Sequence, residues 1–149
     1  MVIDISTIKG VKGESIEVEF IKPFNFKGGL DASLVLVDKV HVSAKATSIG
    51  HDAILVEGKA NAKFKARCHR CLEEFTVCLK TEFQEQYHSP SSGHTLISRE
   101  NEEDILIYNG DFIDISDEVN SNLALSIPIK LICSEACKGL CSICGKNLN

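Results

Sequence analysis

The cysteines are the residues of this chain with the clearest potential for chemistry. The chain contains seven cysteines. Four lie near its end with the spacing Cys133-x3-Cys137-x3-Cys141-x2-Cys144, and an earlier pair has the spacing Cys68-x2-Cys71. Two thiolates separated by two residues can bind one metal ion, and a following glycine permits the tight turn that this spacing requires. An odd number of clustered cysteines favours metal ligands over a disulfide framework in a reducing compartment.

The spacing leaves two ligand sets open. One lies wholly in the tail: Cys133, Cys137, Cys141 and Cys144. The other joins two distant pairs: Cys68, Cys71, Cys141 and Cys144. Tetrahedral sulfur coordination suits zinc, with an iron–sulfur centre as the competitor, and structural zinc can contribute on the order of 10 kcal/mol to folding. We expect a structural zinc, and a chain without a stable metal is the remaining alternative.

A thiol redox protein is a third interpretation of Cys68 and Cys71. Arg67 and Arg70 beside this pair favour the thiolate form. A thioredoxin-like dithiol lies at a strand-to-helix junction, however, whereas strands are predicted on both sides of this pair. Cys78 is predicted to be an ordinary cysteine on a sheet face. Because the sequence has no phosphate loop, nucleophile elbow or metalloprotease motif, we expect a protein without enzymatic activity or a small-molecule substrate.

Alternating hydrophobic residues predict the strands that position these cysteines. The predicted elements are a strand at 14–21, a long antiparallel hairpin at 34–67, a third strand at 74–87, two short strands at 105–108 and 112–115 joined by a hairpin turn, and a helix at 117–126 with Ser116 as its N-cap. Residues 22–30 and 88–104 are predicted loops. The fold class is therefore α+β and β-rich: an antiparallel meander that can be barrel-like, with one or two short helices and a cysteine-rich C-terminal metal-binding tail.

Length and composition indicate a single globular domain. The 149 residues are 44% hydrophobic and 25% charged, which is typical of folded proteins. We expect a β-rich domain over residues 1–130 with the cysteine-rich tail, 131–149, packed on it. The sequence shows no signal peptide and no apolar stretch long enough to cross a membrane. We therefore expect a soluble, cytoplasmic protein with no membrane partner.

A row of basic side chains follows one predicted strand, although the net charge of the chain is -5. Its members are Lys59, Lys63, Lys65 and Arg67, with Arg70 in the next turn. Alternate residues of a strand lie nearly 7 Å apart, a pitch that can follow a phosphate backbone. Charge alone leaves a purely solubilising role as the leading alternative. No aromatic residue interleaves the row, so base stacking is not indicated.

Three segments resemble the YceD-like family, the bacterial large ribosomal RNA subunit accumulation proteins. They are Cys68-His69-Arg70-Cys71-Leu72-Glu73 after an alternating strand, the ending CKGLCSICGKNLN over 137–149, and the short stretches Asp114-Ile115-Ser116 and Ile127-Pro128-Ile129. The resemblance implies a non-enzymatic role in synthesis, processing or accumulation of large-subunit ribosomal RNA. The implied partner is that RNA or a pre-ribosomal particle, which makes RNA binding by the basic row the favoured interpretation. A protein–protein adaptor that docks a ribosomal protein is the alternative.

Overall fold

Strands make up most of the regular structure. The computed structural model describes residues 1–26, 34–90 and 106–149, so most of the predicted loop at 88–104, and 27–30 of the earlier loop, lie outside the described residues. The elements are β1 (Val2–Asp4), β2 (Ser15–Lys22), β3 (Val35–Leu36), β4 (Val40–Gly50), β5 (Ala53–Arg67), β6 (Glu74–His88), β7 (Leu106–Ile107), β8 (Phe112–Asp114) and α1 (Ser116–Leu125). The β-rich class with one described helix is confirmed.

The large sheet is built around the long strands β4, β5 and β6. Its hydrogen-bonded order is β2-β4-β5-β6-β7, and β3 pairs with β5. All pairs are antiparallel except β6 with β7, which are parallel. The alternating pattern is interrupted at Asp38, which lies between β3 and β4, yet both of these strands pair with β5. Among the described strands β2 and β7 lie at opposite edges, so the sheet is open and the barrel-like closure that the meander allowed is absent.

The predicted turn at 109–111 is present, but the predicted pairing of the two short strands across it is wrong. β7 pairs in parallel with the end of β6, whereas β8 pairs antiparallel with β1 in a separate two-stranded sheet. The two short strands share only an isolated bridge between Asn109 and Phe112. Ile3 and Ile113 are directly opposed in the small sheet and almost completely buried. Their burial explains the pairing, and a strand as short as β1 carries too little alternation to be predicted.

One hydrophobic core lies between the inner face of the large sheet, the small sheet and α1. The helix contributes Val119 and Leu123, both fully buried, and Leu131 brings the start of the tail into the same core. The prediction that Ser116 caps the helix is wrong, because the N-cap position is Ile115 and no side chain caps the helix. Ser116 Oγ instead donates to Asp114 Oδ1 at 2.6 Å. At ten residues, α1 is too short to span a bilayer, and no described helix could do so.

Glu118 introduces a pH-dependent contact between the helix and the sheet. Burial raises the pKa of its carboxyl above the ordinary value, and the charges of Asp117 and Glu85 act in the same direction. The protonated form is thus favoured in the folded protein, so the stability that Glu118 contributes falls as pH rises from 4.5 through its higher folded pKa. We expect Glu118→Gln to raise the melting temperature at pH 7 and to lose this advantage below pH 4, as measured by thermal unfolding across pH. An equal gain at both pH values would contradict this assignment.

Candidate functional site

Four cysteine sulfurs lie close together at the turn between β5 and β6. Two come from the turn itself and two come from the C-terminal tail. The Sγ atoms of Cys68, Cys71, Cys133 and Cys137 all lie within 4.8 Å of one another. Cys68 Sγ is 3.8 Å from Cys137 Sγ, and Cys71 Sγ is 3.7 Å from Cys133 Sγ. In a tetrahedral site with zinc–sulfur bonds of about 2.3 Å, the sulfurs are about 3.8 Å apart. The spacing therefore fits four thiolates around one metal ion and is far too long for a disulfide.

The turn between β5 and β6 aims the first two sulfurs. Cys68 N–H donates to the Glu73 carbonyl at 2.9 Å, and Leu72 N–H donates to the Cys68 carbonyl at 2.9 Å. Leu72 takes a left-handed conformation with φ of 62°, which reverses the chain within a few residues. Arg70 N–H points at Cys68 Sγ at 3.4 Å. A tight turn with N–H groups facing sulfur is typical of metal knuckles.

The tail reaches this turn through backbone and side-chain contacts. His69 N–H donates to the Leu131 carbonyl at 2.8 Å, and Cys133 N–H points at Cys68 Sγ at 3.4 Å. The Arg70 guanidinium donates to the Cys137 carbonyl at 3.1 Å. Gly139, with φ of +77°, packs so closely that an added Cβ would lie 3.1 Å from the Arg70 carbonyl oxygen. The burial of Leu131 and these contacts place Cys133 and Cys137 over the turn.

The protein environment already favours ionisation of part of this cluster. Burial opposes ionisation of Cys68, but the N–H groups of Cys71, Cys133 and Arg70 outweigh it and lower the pKa of Cys68 to about 6. Burial, together with the neighbouring sulfurs, raises the pKa of Cys133 to about 12. A cation among these sulfurs would ionise the remaining thiols, so metal binding should release protons and weaken as pH falls.

Asn149 supports the cluster from outside. Its Nδ2 lies 3.4 Å from Cys137 Sγ, and its Oδ1 accepts the Lys138 N–H at 2.7 Å. Burial acts to raise the pKa of Cys137, but donation by Asn149 and by the Gly139 N–H lowers it overall. These contacts let Asn149 hold the Cys137 sulfur in position and stabilise its charge.

Loss of the Asn149 amide should therefore weaken metal binding without removing a ligand. We expect Asn149→Ala to lower zinc affinity by about 10- to 100-fold, the usual effect of removing a residue that orients a ligand. Competition with a chromophoric zinc chelator measures this change. Asn61→Ala, on the outer face of β5, is the matched control and should bind zinc like the original chain. Equal affinities in the two variants would exclude a supporting role for Asn149.

The observed group takes one half of each predicted ligand set. Cys133 and Cys137 come from the tail set, and Cys68 and Cys71 come from the cross-fold set. Cys141 and Cys144, which both sets included, are not part of the four-sulfur group. Spacing alone favoured Cys141 and Cys144, which are only two residues apart. The sequence did offer one signal that the start of the tail packs on the domain: Leu131 is an apolar residue at the beginning of a polar segment.

The five basic residues of the predicted row are placed differently from one another. Lys63, Lys65 and Arg67 lie exposed on the outer face of β5, opposite Cys78, Thr76 and Glu74 of β6. Lys59 Nζ pairs with Glu82 Oε1 at 2.7 Å, and Arg70 donates to tail carbonyls. The charge at Lys59 is therefore locally balanced, and Arg70 is engaged in holding the tail.

Lys80 extends the row onto the neighbouring strand. It lies on the outer face of β6 opposite Asn61, which makes it a diagonal neighbour of Lys63 at a typical distance of about 7–8 Å. Lys80 was not predicted as part of the row, because strand register is needed to place it. We call Lys63, Lys65, Arg67 and Lys80 the basic surface. It ends at Cys68, the residue that follows Arg67, so it borders the four-sulfur cluster.

Comparison with known families agrees with this architecture. The family model of the large ribosomal RNA subunit accumulation protein YceD matches residues 56–149. The chain belongs to this family. The matched region runs from within β5 to the end of the tail and includes the four clustered cysteines and the basic surface. Membership of the YceD family links the protein to accumulation of large-subunit ribosomal RNA, and the family description names no chemical reaction. Comparison with curated proteins found no match, and comparison with solved structures found none.

Proposed function

We propose that this protein is a non-enzymatic factor in synthesis, processing or accumulation of large-subunit ribosomal RNA, and that it binds RNA through the basic surface beside a structural zinc. The observation that carries the proposal is the adjacency of the two features. Arg67 ends the basic surface and Cys68 begins the cluster, so a metal that orders the turn also fixes the end of the RNA-binding strand. The partner is ribosomal RNA or a pre-ribosomal particle in the cytoplasm.

Zinc is the metal that best suits the cluster. Four thiolates at tetrahedral spacing match a structural zinc site, in which every coordination position is filled by protein. A site of this kind has no position for substrate, which supports a role without catalysis. The same contacts would make the tail, 131–149, one unit with the β-rich domain, 1–130. A redox dithiol at Cys68 and Cys71 is less consistent with two further sulfurs in contact with the pair.

The distribution of charge on the outer face favours one RNA-binding region. Away from the cluster, Lys45 lies between Glu17 and Glu57 in the strand register, and Lys59 is paired with Glu82. That half of the outer face is therefore balanced or acidic. Within the basic surface the opposing carboxylate is Glu74, beside Arg67. Positive charge is thus concentrated along the last residues of β5 and the first half of β6, where alternate side chains can follow successive phosphates.

RNA binding should depend on salt and on the basic surface. We expect the combined variant Lys63→Ala, Lys65→Ala, Arg67→Ala to bind large-subunit ribosomal RNA fragments about 100-fold or more weakly. The salt slope should also fall by about 1 for each phosphate that the variant no longer neutralises. Fluorescence anisotropy over a range of salt concentrations measures both quantities.

A matched control separates the basic surface from total charge. The variant Lys12→Ala, Lys45→Ala, Lys59→Ala removes the same number of positive charges from outside the basic surface and should bind RNA nearly as well as the original chain. If both triple variants bind alike, the basic surface is not the RNA site. Retention of full RNA affinity together with loss of a co-purifying ribosomal protein would favour the adaptor role instead.

A further inference from the structure

Cys141 and Cys144 form a second thiol pair that the four-sulfur cluster does not use. They lie at the tip of a small hairpin closed by an isolated bridge between Leu140 and Asn147. Cys141 N–H donates to the Lys146 carbonyl at 2.8 Å, and Gly145 N–H donates to the Cys141 carbonyl at 2.9 Å. Gly145 has φ of +71°, a conformation that favours glycine. The backbone therefore holds the two thiols in a fixed turn.

This turn has the backbone of a metal knuckle. The Cys141-x2-Cys144 spacing places both thiols on one reversal of the chain, which the Gly145 N–H closes onto the Cys141 carbonyl. A glycine directly after the second cysteine permits the tight turn in which two thiolates two residues apart bind one metal ion. The reversal exists before any metal is bound, so the backbone of the pair does not need to refold to bind one.

The pair nevertheless supplies only half of a tetrahedral site. Among the described residues, the only group of three or more metal-binding side chains is the cluster at Cys68, Cys71, Cys133 and Cys137. The knuckle also faces outward, because Cys144 is exposed and Ile143 is 94% exposed. Access from solvent is therefore open on the side where further ligands would have to bind.

We propose that Cys141 and Cys144 form a second metal half-site, which binds a thiophilic divalent cation such as Zn²⁺ and leaves two coordination positions for ligands from outside this chain. The preformed turn supplies two thiolates, and a zinc ion requires two more ligands. This site differs in kind from the four-sulfur cluster, which fills its own coordination sphere. It binds metal more weakly and exchanges its remaining ligands.

Cobalt titration of the zinc-loaded full chain tests the half-site. Under anaerobic conditions with a non-thiol reductant, we expect one further equivalent of Co²⁺ to bind and to give sulfur-to-cobalt charge-transfer absorption. Imidazole should shift the visible bands of this cobalt, because two of its positions are open. The variant Cys141→Ser, Cys144→Ser should lose this uptake and keep the first zinc, whereas Cys78→Ser, which removes an exposed cysteine elsewhere, should retain both.

The half-site would be overturned by no cobalt uptake beyond the first metal, by equal uptake in the double serine variant, or by a cobalt spectrum that imidazole does not change. Loss of the first zinc in the double serine variant would also overturn it, because the knuckle would then belong to the main centre. The test distinguishes failure of the half-site from failure of the proposed zinc centre. The half-site is measured as the difference in cobalt signal between the double serine variant and Cys78→Ser, and both of these variants keep the four clustered cysteines.

Discussion

Cys68→Ser should produce the largest single loss in this protein, because one substitution would remove a ligand of the proposed zinc centre and release the tail. We expect the variant to lose stoichiometric zinc and its melting temperature to fall by about 10 °C or more, since structural zinc contributes on the order of 10 kcal/mol in small zinc-binding peptides. The Cys68 sulfur is fully buried and faces the N–H groups of Arg70 and Cys133. Elemental analysis and thermal unfolding measure the two effects.

Comparison with Cys78→Ser separates the effect of losing the metal from the effect of losing a thiol. Cys78 is exposed on the outer face of β6, outside the cluster, so its replacement should leave zinc content and melting temperature nearly unchanged. A strong chelator should lower the melting temperature of the original chain toward that of Cys68→Ser and have little effect on Cys68→Ser itself. Stoichiometric zinc in Cys68→Ser would show that this residue is not a ligand.

Cys68→Ser also tests whether RNA binding depends on the bound metal. Hydrogen exchange of the His69 amide should become faster, because its hydrogen bond to the Leu131 carbonyl depends on the ordered turn. If the turn also positions Arg67, RNA affinity should fall together with zinc content. Unchanged RNA affinity in a zinc-free variant would leave the zinc centre intact as a structural feature but separate it from RNA binding.

The long strands were predictable from sequence because their burial alternates almost without exception. β5 reads alternately buried and exposed from Val56 to Arg67, and this period fixes both its type and the face that carries the lysines. β1, with three residues, was not predicted, and β7, with two, was predicted at 105–108 but with the wrong partner. Such short strands are stabilised by their partners, and the partner is set by burial of residues such as Ile3 rather than by local pattern.

The cysteine cluster was only half predictable for a related reason. Spacing identifies pairs that can bind one metal, but it does not say which pairs meet in the fold. That choice depends on where the tail docks, and the deciding contacts are Leu131 in the core and Arg70 on the tail carbonyls. Lys80 was not predicted as part of the row for the same reason. The strand register that places it opposite Asn61 is set by the tertiary structure and cannot be derived from local sequence.

Gly58→Ala should destabilise the sheet, although alanine is ordinarily favoured over glycine within a strand. Gly58 lies directly opposite Phe83 in the register of β5 and β6, and the Phe83 ring covers it. An added Cβ would overlap the ring, closer than any real contact, so the ring would have to leave its buried position. Overpacking of this kind costs about 1–3 kcal/mol, which exceeds the backbone gain of about 0.5–1 kcal/mol. Chemical denaturation measures the difference.

A double-mutant cycle with Phe83→Leu identifies the contact responsible. The smaller, flexible leucine should accommodate the Cβ, so Gly58→Ala should cost less in the Phe83→Leu background than in the original chain, with a coupling of about 1 kcal/mol or more. Equal costs in both backgrounds would place the strain elsewhere. The contact bears on the proposed RNA binding because the pairing of β5 with β6 sets Lys63 beside Lys80 on the opposite face. A shift of Phe83 that moved this pairing would weaken RNA binding at a distance from any basic residue.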